Sequence, residues 1–438
     1  MTMNEAGNIP VKRSLAALLI LLFCASMLLP ASLAEDVQPE ACMSGDYRYI
    51  LGEDGTAEIT EWIGKAGNLV IPSTLDGHSV TSIGAYGFSL CESLTDVTIP
   101  DTVKSIGDSA FFLCESLTSV TIPDGVIRIG DEAFSDCESL TTVTMPGSLT
   151  SIGDAAFYGC SSLTGITIPD SVTQIGTNPF ARCDKLTEIL VSPDQPVLAV
   201  MDGVLFKKAD RRLICYPSSF TAKEYTIPQG IQSIGERAFC FCSSLTSVII
   251  PDSVKSIEDS AFFNCSGLTG VTIPDSVTSI GDSAFHWCYN LTSVIIPDSV
   301  TSIGDNAFFD CYSLTCVTIP GSVTSIGNWA FSSCSGLTSV TIPGSVATIG
   351  DHAFAWCYSL TDVTIPDSVK SIGEKAFYEC YSLTGVTIPD SVTRIGEKAF
   401  AKCPDLTATV GWDSFAEQYC IDNRIPYTYF DSLNGLNN

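Results

Sequence analysis

Apolar residues recur along the chain with a period of 23 residues. In a representative copy, Leu268, Val271 and Ile273 are spaced as in a short β-strand whose Val and Ile point to the same side. Pro274 follows, and it ends the strand because proline cannot donate to a strand ladder. The pattern therefore predicts one short strand in every copy.

The second half of each copy predicts a bend and a short helix. Val277 and Ile280 bring the chain back over the core, and Gly281 permits a tight turn. Asp282 is then placed to cap the N-terminus of one or two helical turns. Those turns carry three further apolar side chains, Ala284, Phe285 and Cys288.

Thirteen copies share one register, which the cysteines mark. They lie at Cys91, Cys114, Cys137, Cys160, Cys183, Cys242, Cys265, Cys288, Cys311, Cys334, Cys357, Cys380 and Cys403. A single copy is too small to fold alone, so stacked copies must bury one another's apolar faces. We predict an α/β repeat solenoid in which each repeat is a short strand plus turn and short helix.

The period is broken once inside the array and at both ends. Cys183 and Cys242 are 59 positions apart, and residues 190–224 predict an inserted β-hairpin with a basic tip at 207–212. That tip is either solvated or a docking point for an acidic partner. Residues 35–75 predict an N-terminal linker and β cap, and residues 411–438 a C-terminal cap and tail. The repeat blocks are predicted at 76–189 and 225–410.

The N-terminus resembles an export signal. Lys12 and Arg13 precede an apolar run from Leu15 to Leu29, and Ser32 and Ala34 fit a cleavage site, so residues 1–34 predict a signal peptide. An uncleaved anchor is the alternative. We therefore expect a secreted protein, possibly held at the cell surface, with no membrane span in the mature chain.

Composition narrows the function further. The net charge is −28, from 49 acidic and 21 basic residues, which argues against nucleic-acid binding. No catalytic or phosphate-binding motif occurs, and the three histidines lie in different repeats. We expect no enzyme activity, no cofactor and no metal.

The thirteen cysteines that mark the register are called the ladder cysteines here, and their regular spacing argues against a disulfide framework. A buried cysteine behaves as a small apolar residue with a weak donor, so free, buried thiols are expected. Cys316 replaces a Ser or Gly on the outward side of a strand, which makes it the cysteine most exposed to reaction.

The repeat resembles the BspA-type leucine-rich repeats over residues 45–430. The residues that carry the resemblance are the L-x-x-V-x-I-P strand, the I-G-x-x-A-F turn and the ladder cysteine. The resemblance implies a protein that binds other proteins, with adhesion to host matrix or to other microbes as its function. It also implies that the cysteine lies inside the turn and bonds to backbone groups.

Aromatic residues beside the ladder cysteines are the candidate partner-binding site. They are Trp287, Tyr289, Tyr312, Trp356, Tyr358 and Tyr381, whereas the earlier repeats carry Glu92, Glu115 and Glu138 after the cysteine. Random sequence divergence of duplicated repeats, without any binding role, would also produce this change from acidic to aromatic residues. A second possibility is a structural or glycan-binding protein that uses these rows and the threonine-rich strands. The expected partners are extracellular proteins or glycans.

Overall fold

A computed structural model describes residues 41–430, which fall within one compact unit. The predicted signal peptide and the end of the C-terminal tail, residues 431–438, lie outside the described residues. Each 23-residue repeat forms one coil, and successive coils stack so that equivalent residues pair in parallel. The solenoid of stacked strands predicted from the repeat is thus present.

The first strand of each coil builds a ladder that we call the front sheet. It runs in three pieces, which end at Thr144, at Val191 and at Tyr429. Val294 pairs with Val271 before it and with Val317 after it, and all three side chains are buried. The strands are Asn68–Val70, Asp96–Thr98, Ser119–Thr121, Thr142–Thr144, Gly165–Ile168, Glu188–Val191, Glu224–Thr226, Ser247–Ile249, Gly270–Thr272, Ser293–Ile295, Cys316–Thr318, Ser339–Thr341, Asp362–Thr364, Gly385–Ile388, Thr407–Val410 and Tyr427–Tyr429.

A second strand in each coil builds the side sheet. After the proline a tight turn leads into it, as where the Val300 amide donates to the Pro297 carbonyl at 3.0 Å. In one coil the second strand is reduced to a single residue, Ile303, which forms isolated parallel bridges to Ile280 and Ile326. The strands are His78–Ile83, Ser105–Ile106, Arg128–Ile129, Ser151–Ile152, Gln174–Ile175, Ser233–Ile234, Ser256–Ile257, Ser279–Ile280, Ser325–Ile326, Thr348–Ile349, Ser371–Ile372 and Arg394–Ile395.

The predicted short helix in each coil is wrong. The segment that runs from the side sheet to the residue after the ladder cysteine consists largely of turns, and together these turns form the turn face. Ser283 and Trp287 have φ of 54° and 62°, and equivalent residues in the other coils share this left-handed conformation. An α-helix needs right-handed backbone throughout, so two left-handed residues four positions apart prevent one.

Hydrogen bonds on the turn face run between coils as well as within them. Alternate amides donate to the next coil, namely Ser283 to Asp305, Phe285 to Ala307 and Trp287 to Phe309, at 2.8, 2.8 and 3.0 Å. The amides between them close three-residue turns inside the coil, as where His286 donates to the Ser283 carbonyl at 3.1 Å. Stacking therefore satisfies backbone groups that a helix would have satisfied locally.

The turn aspartate links coils, which corrects its predicted role as a helix cap. Asp282 Oδ1 accepts the backbone amide of Asp305 in the next coil at 2.8 Å, and Asp305 does the same for Asn328 at 2.6 Å. A glycine is required before the aspartate because the backbone of the preceding coil lies too close for a side chain. A Cβ on Gly281 would lie 2.4 Å from Asp259 Oδ1 and 2.6 Å from the Asp259 amide nitrogen.

The interior contains two ladders of identical side chains. The ladder cysteines are free thiols, and all but Cys91 and Cys403 are buried. Cys288 Sγ donates to the Phe262 carbonyl at 3.2 Å, a bond that recurs in most coils and that matches the role implied by the resemblance. Burial raises the pKa of the fully buried thiols, as at Cys160 and Cys311. Beside them the repeat phenylalanines stack ring on ring, with Phe308 5.2 Å from both Phe285 and Phe331.

The insertion forms three antiparallel strands rather than two. They are Leu198–Met201, Val204–Lys207 and Arg212–Cys215, and the last joins the side sheet in parallel with Ser233–Ile234. The apolar core divides here into one cluster that spans residues 49–215 and another that spans 204–420. The insertion therefore separates two packed blocks of coils.

Additional elements cover the two ends of the array. At the start, Cys42–Ser44, Tyr47–Leu51 and Ala57–Trp62 form an antiparallel meander, and Thr74–Leu75 pairs with the first side strand. At the end lies the helix Phe415–Asn423. Ser414 caps it by accepting the Glu417 amide at 3.0 Å. Ala416, Tyr419 and Cys420 of this helix are buried, so it covers the last coil.

Candidate binding surface

Four of the predicted residues form two stacked tyrosine pairs on the turn face. Tyr289 and Tyr312 lie 5.3 Å apart, centroid to centroid, with 8° between their planes. Tyr358 and Tyr381 lie 5.2 Å apart at 7°. Tyr312, Tyr358 and Tyr381 are 42–46% exposed, so each pair presents large amphipathic side chains to solvent.

Trp287 and Trp356 belong to a longer run of rings beside the tyrosines, which we call the aromatic strip. Trp287 contacts Phe263 at 5.0 Å, and Trp356 contacts Trp329 at 5.7 Å and Tyr378 at 6.0 Å. These rings are only partly buried. The strip consists of Phe263, His286, Trp287, Phe309, Trp329, His352, Trp356 and Tyr378.

Sequence reasoning missed most of this strip. Trp329 and His352 occupy the same repeat position 23 residues apart, and their rings stack at 3.9 Å with 3° between the planes. His286 and His352 lie in different repeats, and the structure places each between aromatic rings. The available signal was the 23-residue spacing of the positions just before the repeat Ala and just after the repeat Phe.

Burial in the strip changes the chemistry of its histidines. Both ring nitrogens of His286 are buried and have no hydrogen-bond partner among residues 41–430. Desolvation lowers the pKa of His286 to about 4. The pKa of His352 is also lowered, first by desolvation and then by Lys375. Both histidines are therefore neutral at neutral pH; the His352 ring stacks on Trp329, and the His286 ring packs at tilted angles against Phe263 and Phe309.

Carboxylates hold several rings in place. Trp287 Nε1 donates to Asp310 Oδ2 at 3.0 Å, and the Tyr381 hydroxyl donates to Glu379 Oε2 at 2.8 Å. Lys402 forms an ion pair with the same Glu379. Burial, followed by the charge of Asp310, raises the pKa of Tyr312 to about 12. The surface is thus preorganised, with neutral tyrosines and a negative rim.

The front sheet carries two rows of threonines, one of which is already engaged in bonds between coils. The threonines that follow the repeat leucine donate to the preceding coil, as where Thr292 Oγ1 reaches the Thr269 carbonyl at 2.9 Å. A second row, which includes Thr318 and Thr341, is exposed, with no hydrogen-bond partner among the described residues. Cys316 is exposed on this sheet, as its position in the repeat predicts.

Within residues 41–430, no group of three or more His, Cys, Asp or Glu side chains is arranged to hold a metal ion. In the same part of the chain, no helix has the length and apolar character needed to cross a membrane. The turn carboxylates instead bond to backbone amides between coils.

The family model for the BspA type leucine rich repeat region, in six copies, matches residues 74–196, 214–338 and 325–419. The chain belongs to the BspA-type leucine-rich repeat family. The resemblance drawn from the repeat residues is thereby confirmed. No curated protein matches the chain.

Several solved bacterial structures are similar to this family member. A leucine-rich repeat protein from Eubacterium ventriosum is 26% identical, with a TM-score of 0.62, over 77% of this chain and 93% of that one. A leucine rich cell surface protein from Faecalibacterium prausnitzii is 30% identical over 85% of this chain and 98% of that one, with a TM-score of 0.49. The pneumococcal vaccine antigen PcpA is 18% identical over 90% and 99%, with a TM-score of 0.50, and that likeness concerns the fold alone.

Proposed function

We propose that the chain is a secreted or cell-surface protein that binds other proteins through the tyrosine pairs and the aromatic strip. Adhesion to host matrix proteins or to other microbes is the role we assign to that binding. The observation that carries the proposal is the pair of exposed tyrosine stacks beside a continuous run of rings.

Physical chemistry supports this surface as a binding site. Tyrosine and tryptophan dominate the energetics of protein interfaces because they bury large areas and lose little conformational entropy. Here stacking and the bonds to Asp310 and Glu379 fix the rings before any partner arrives. The net charge of −28 favours a partner with a basic rim around an apolar centre.

The test compares two sets of substitutions at one repeat position. The first variant replaces Tyr289, Tyr312, Tyr358 and Tyr381 by alanine, and the matched control replaces Glu92, Glu115 and Glu138 by alanine. Binding of the mature chain to a panel of extracellular matrix proteins is measured by surface plasmon resonance. We expect the tyrosine variant to bind at least about tenfold more weakly, because each lost anchor contributes about 1 kcal/mol or more.

The control variant should bind within about twofold of the wild type. Thermal unfolding of both variants checks that they fold. Equal loss in the two variants, or unchanged binding in the tyrosine variant, would remove this surface as the protein-binding site.

A further inference from the structure

The row of tyrosines is interrupted at one coil. In successive coils the residue after the ladder cysteine is Tyr289, Tyr312, Ser335, Tyr358 and Tyr381. Each neighbouring pair of tyrosines stacks at 5.2–5.3 Å. Ser335 therefore leaves a slot in which one ring is missing, and two coil spacings set its flanking rings about 10 Å apart.

The slot is bounded by two aromatic faces that no other ring of residues 41–430 covers. Tyr312 stacks on Tyr289 from one side only, so its other face is turned toward the coil of Ser335. Tyr358 stacks on Tyr381 and turns its free face toward the same coil from the opposite side. Tyr312 is 45% exposed and Tyr358 42%. One ring inserted between them would lie about 5 Å from each, the spacing that the stacked pairs already show.

The floor of the slot has unused hydrogen-bonding groups. At the tyrosine positions a backbone hydrogen bond, which we call a rung, joins each coil to the next. The amides of Ser313, Gly336 and Ser382 donate to the carbonyls of Tyr289, Tyr312 and Tyr358, at 3.2, 3.0 and 3.2 Å respectively. The equivalent rung from the Ser359 amide to the Ser335 carbonyl is not made. The hydroxyls of Ser335 and Ser359 also lack hydrogen-bond partners among residues 41–430. Donors and acceptors thus lie between two ring faces.

The same rung is also missing at Glu92, Ser161, Ser243, Ser266 and Tyr381, but none of these residues lies between two tyrosines at the same repeat position. The slot at Ser335 is therefore distinguished by the combination of two facing rings and a polar floor. An aromatic side chain of a partner would stack there but would leave the floor unsatisfied. A ring with both an apolar C–H face and hydroxyl groups would satisfy both parts.

We propose that the slot between Tyr312 and Tyr358 binds one neutral hexopyranose unit of a glycan. Its C–H faces would stack on the two tyrosines, and its hydroxyls would bond to Ser335 and to the Ser359 amide. The net charge of −28 and the nearby Asp310 carboxylate disfavour sialylated or sulfated sugars. The slot shares Tyr312 and Tyr358 with the proposed protein-binding surface, but a substitution at Ser335 leaves both tyrosines in place, so failure of this proposal and failure of the proposed function can be distinguished.

A substitution that fills the slot tests the proposal. Ser335→Tyr supplies the missing ring of the row, which the neighbouring coils accommodate without loss of fold. Ser266→Tyr is the matched control, since it adds a tyrosine at the same repeat position but beyond Tyr289 and outside the slot. Saturation-transfer difference NMR would measure binding of the methyl glycosides of glucose, galactose, mannose and N-acetylglucosamine to the mature chain.

We expect at least one methyl glycoside to bind the wild type and the Ser266→Tyr variant. Its affinity should fall at least about tenfold in Ser335→Tyr, because two stacking faces are blocked together. Thermal unfolding should show that Ser335→Tyr is folded. If none of the four glycosides binds the wild type, or if binding persists in Ser335→Tyr, the proposal is wrong.

Two further outcomes separate the alternatives. Stronger binding of N-acetylphenylalaninamide than of any glycoside would assign the slot to an aromatic side chain of a protein and overturn the glycan proposal. The fourfold tyrosine variant removes both walls of the slot together with the protein-binding anchors, whereas Ser335→Tyr keeps all four tyrosines and blocks the slot alone. If Ser335→Tyr retains matrix-protein binding but loses glycoside binding, the two activities are separable, as expected.

Discussion

Removal of one ring from the phenylalanine stack should destabilise one block of coils selectively. Phe308 is 0% exposed and stacks on Phe285 and Phe331, both at 5.2 Å. Phe308→Ala should cost about 4–5 kcal/mol, the upper part of the range for a buried Phe→Ala, because two aromatic contacts are lost with the cavity. Within the described part of the chain Phe180 stacks on Phe157 alone, at 5.9 Å, so Phe180→Ala should cost about 1 kcal/mol less.

Native-state hydrogen exchange followed by mass spectrometry measures these losses block by block. Because the core divides at the insertion, Phe308→Ala should speed exchange through the second block, 225–410, by about a thousandfold or more. The first block, 76–189, should exchange at nearly the wild-type rate, and Phe180→Ala should show the reverse. Equal acceleration in both blocks would refute the division, and no acceleration in either would refute the stabilising role of the stack.

Three further predictions concern single side chains. Iodoacetamide should alkylate the exposed Cys316 well before the buried Cys288 in the native protein, as peptide mass spectrometry can show, and equal rates would contradict the ladder burial. Asp282→Ala should lower the free energy of unfolding, measured in urea, by about 1 kcal/mol because the bond between coils is lost. Asp282→Asn should leave it nearly unchanged, since Asn328 makes the same bond at 2.8 Å. Equal losses in the two variants would refute this role of the aspartate. The pKa of His286 is about 4 in the folded protein and 6.5 as its ordinary value, so stability is complete above pH 6.5 and is lost as the pH falls toward 4. Allowing for partial exposure, this loss is about 1–2 kcal/mol, and His286→Phe should remove it from the pH dependence of thermal unfolding, whereas an unchanged pH dependence would contradict the burial.

Much of the fold could be predicted from the repeat because each residue type that recurs at a position of the coil has an evident physical role there. Val271 and Ile273 alternate as a strand requires, and the strand Gly270–Thr272 ends before Pro274. The buried ladder cysteine follows from its period, since a spacing of 23 residues aligns equivalent thiols in neighbouring coils. These features depend on side chains that only one packing arrangement can accommodate.

The turn face could not be predicted because its conformation leaves no mark in the sequence. The left-handed positions are occupied by Ser283 and Trp287 rather than by glycine, and Asp282 before them has the position of a helix cap. The bonds that fix this backbone come from the next coil, so no single repeat contains the information. The same turns place Trp329 and His352 in one strip, which explains why the strip was missed although the tyrosine row was found.

Hydroxyl-radical footprinting of the chain with a captured matrix protein would locate the binding surface most directly. We predict that oxidation of Tyr312, Tyr358 and Tyr381 slows strongly in the complex, because a partner on the turn face would bury these exposed rings. Oxidation of Tyr86, exposed at the other end of the array, should be unchanged. Unaltered oxidation of the three tyrosines, together with protection of the front sheet or of the first block, would show that the partner binds elsewhere.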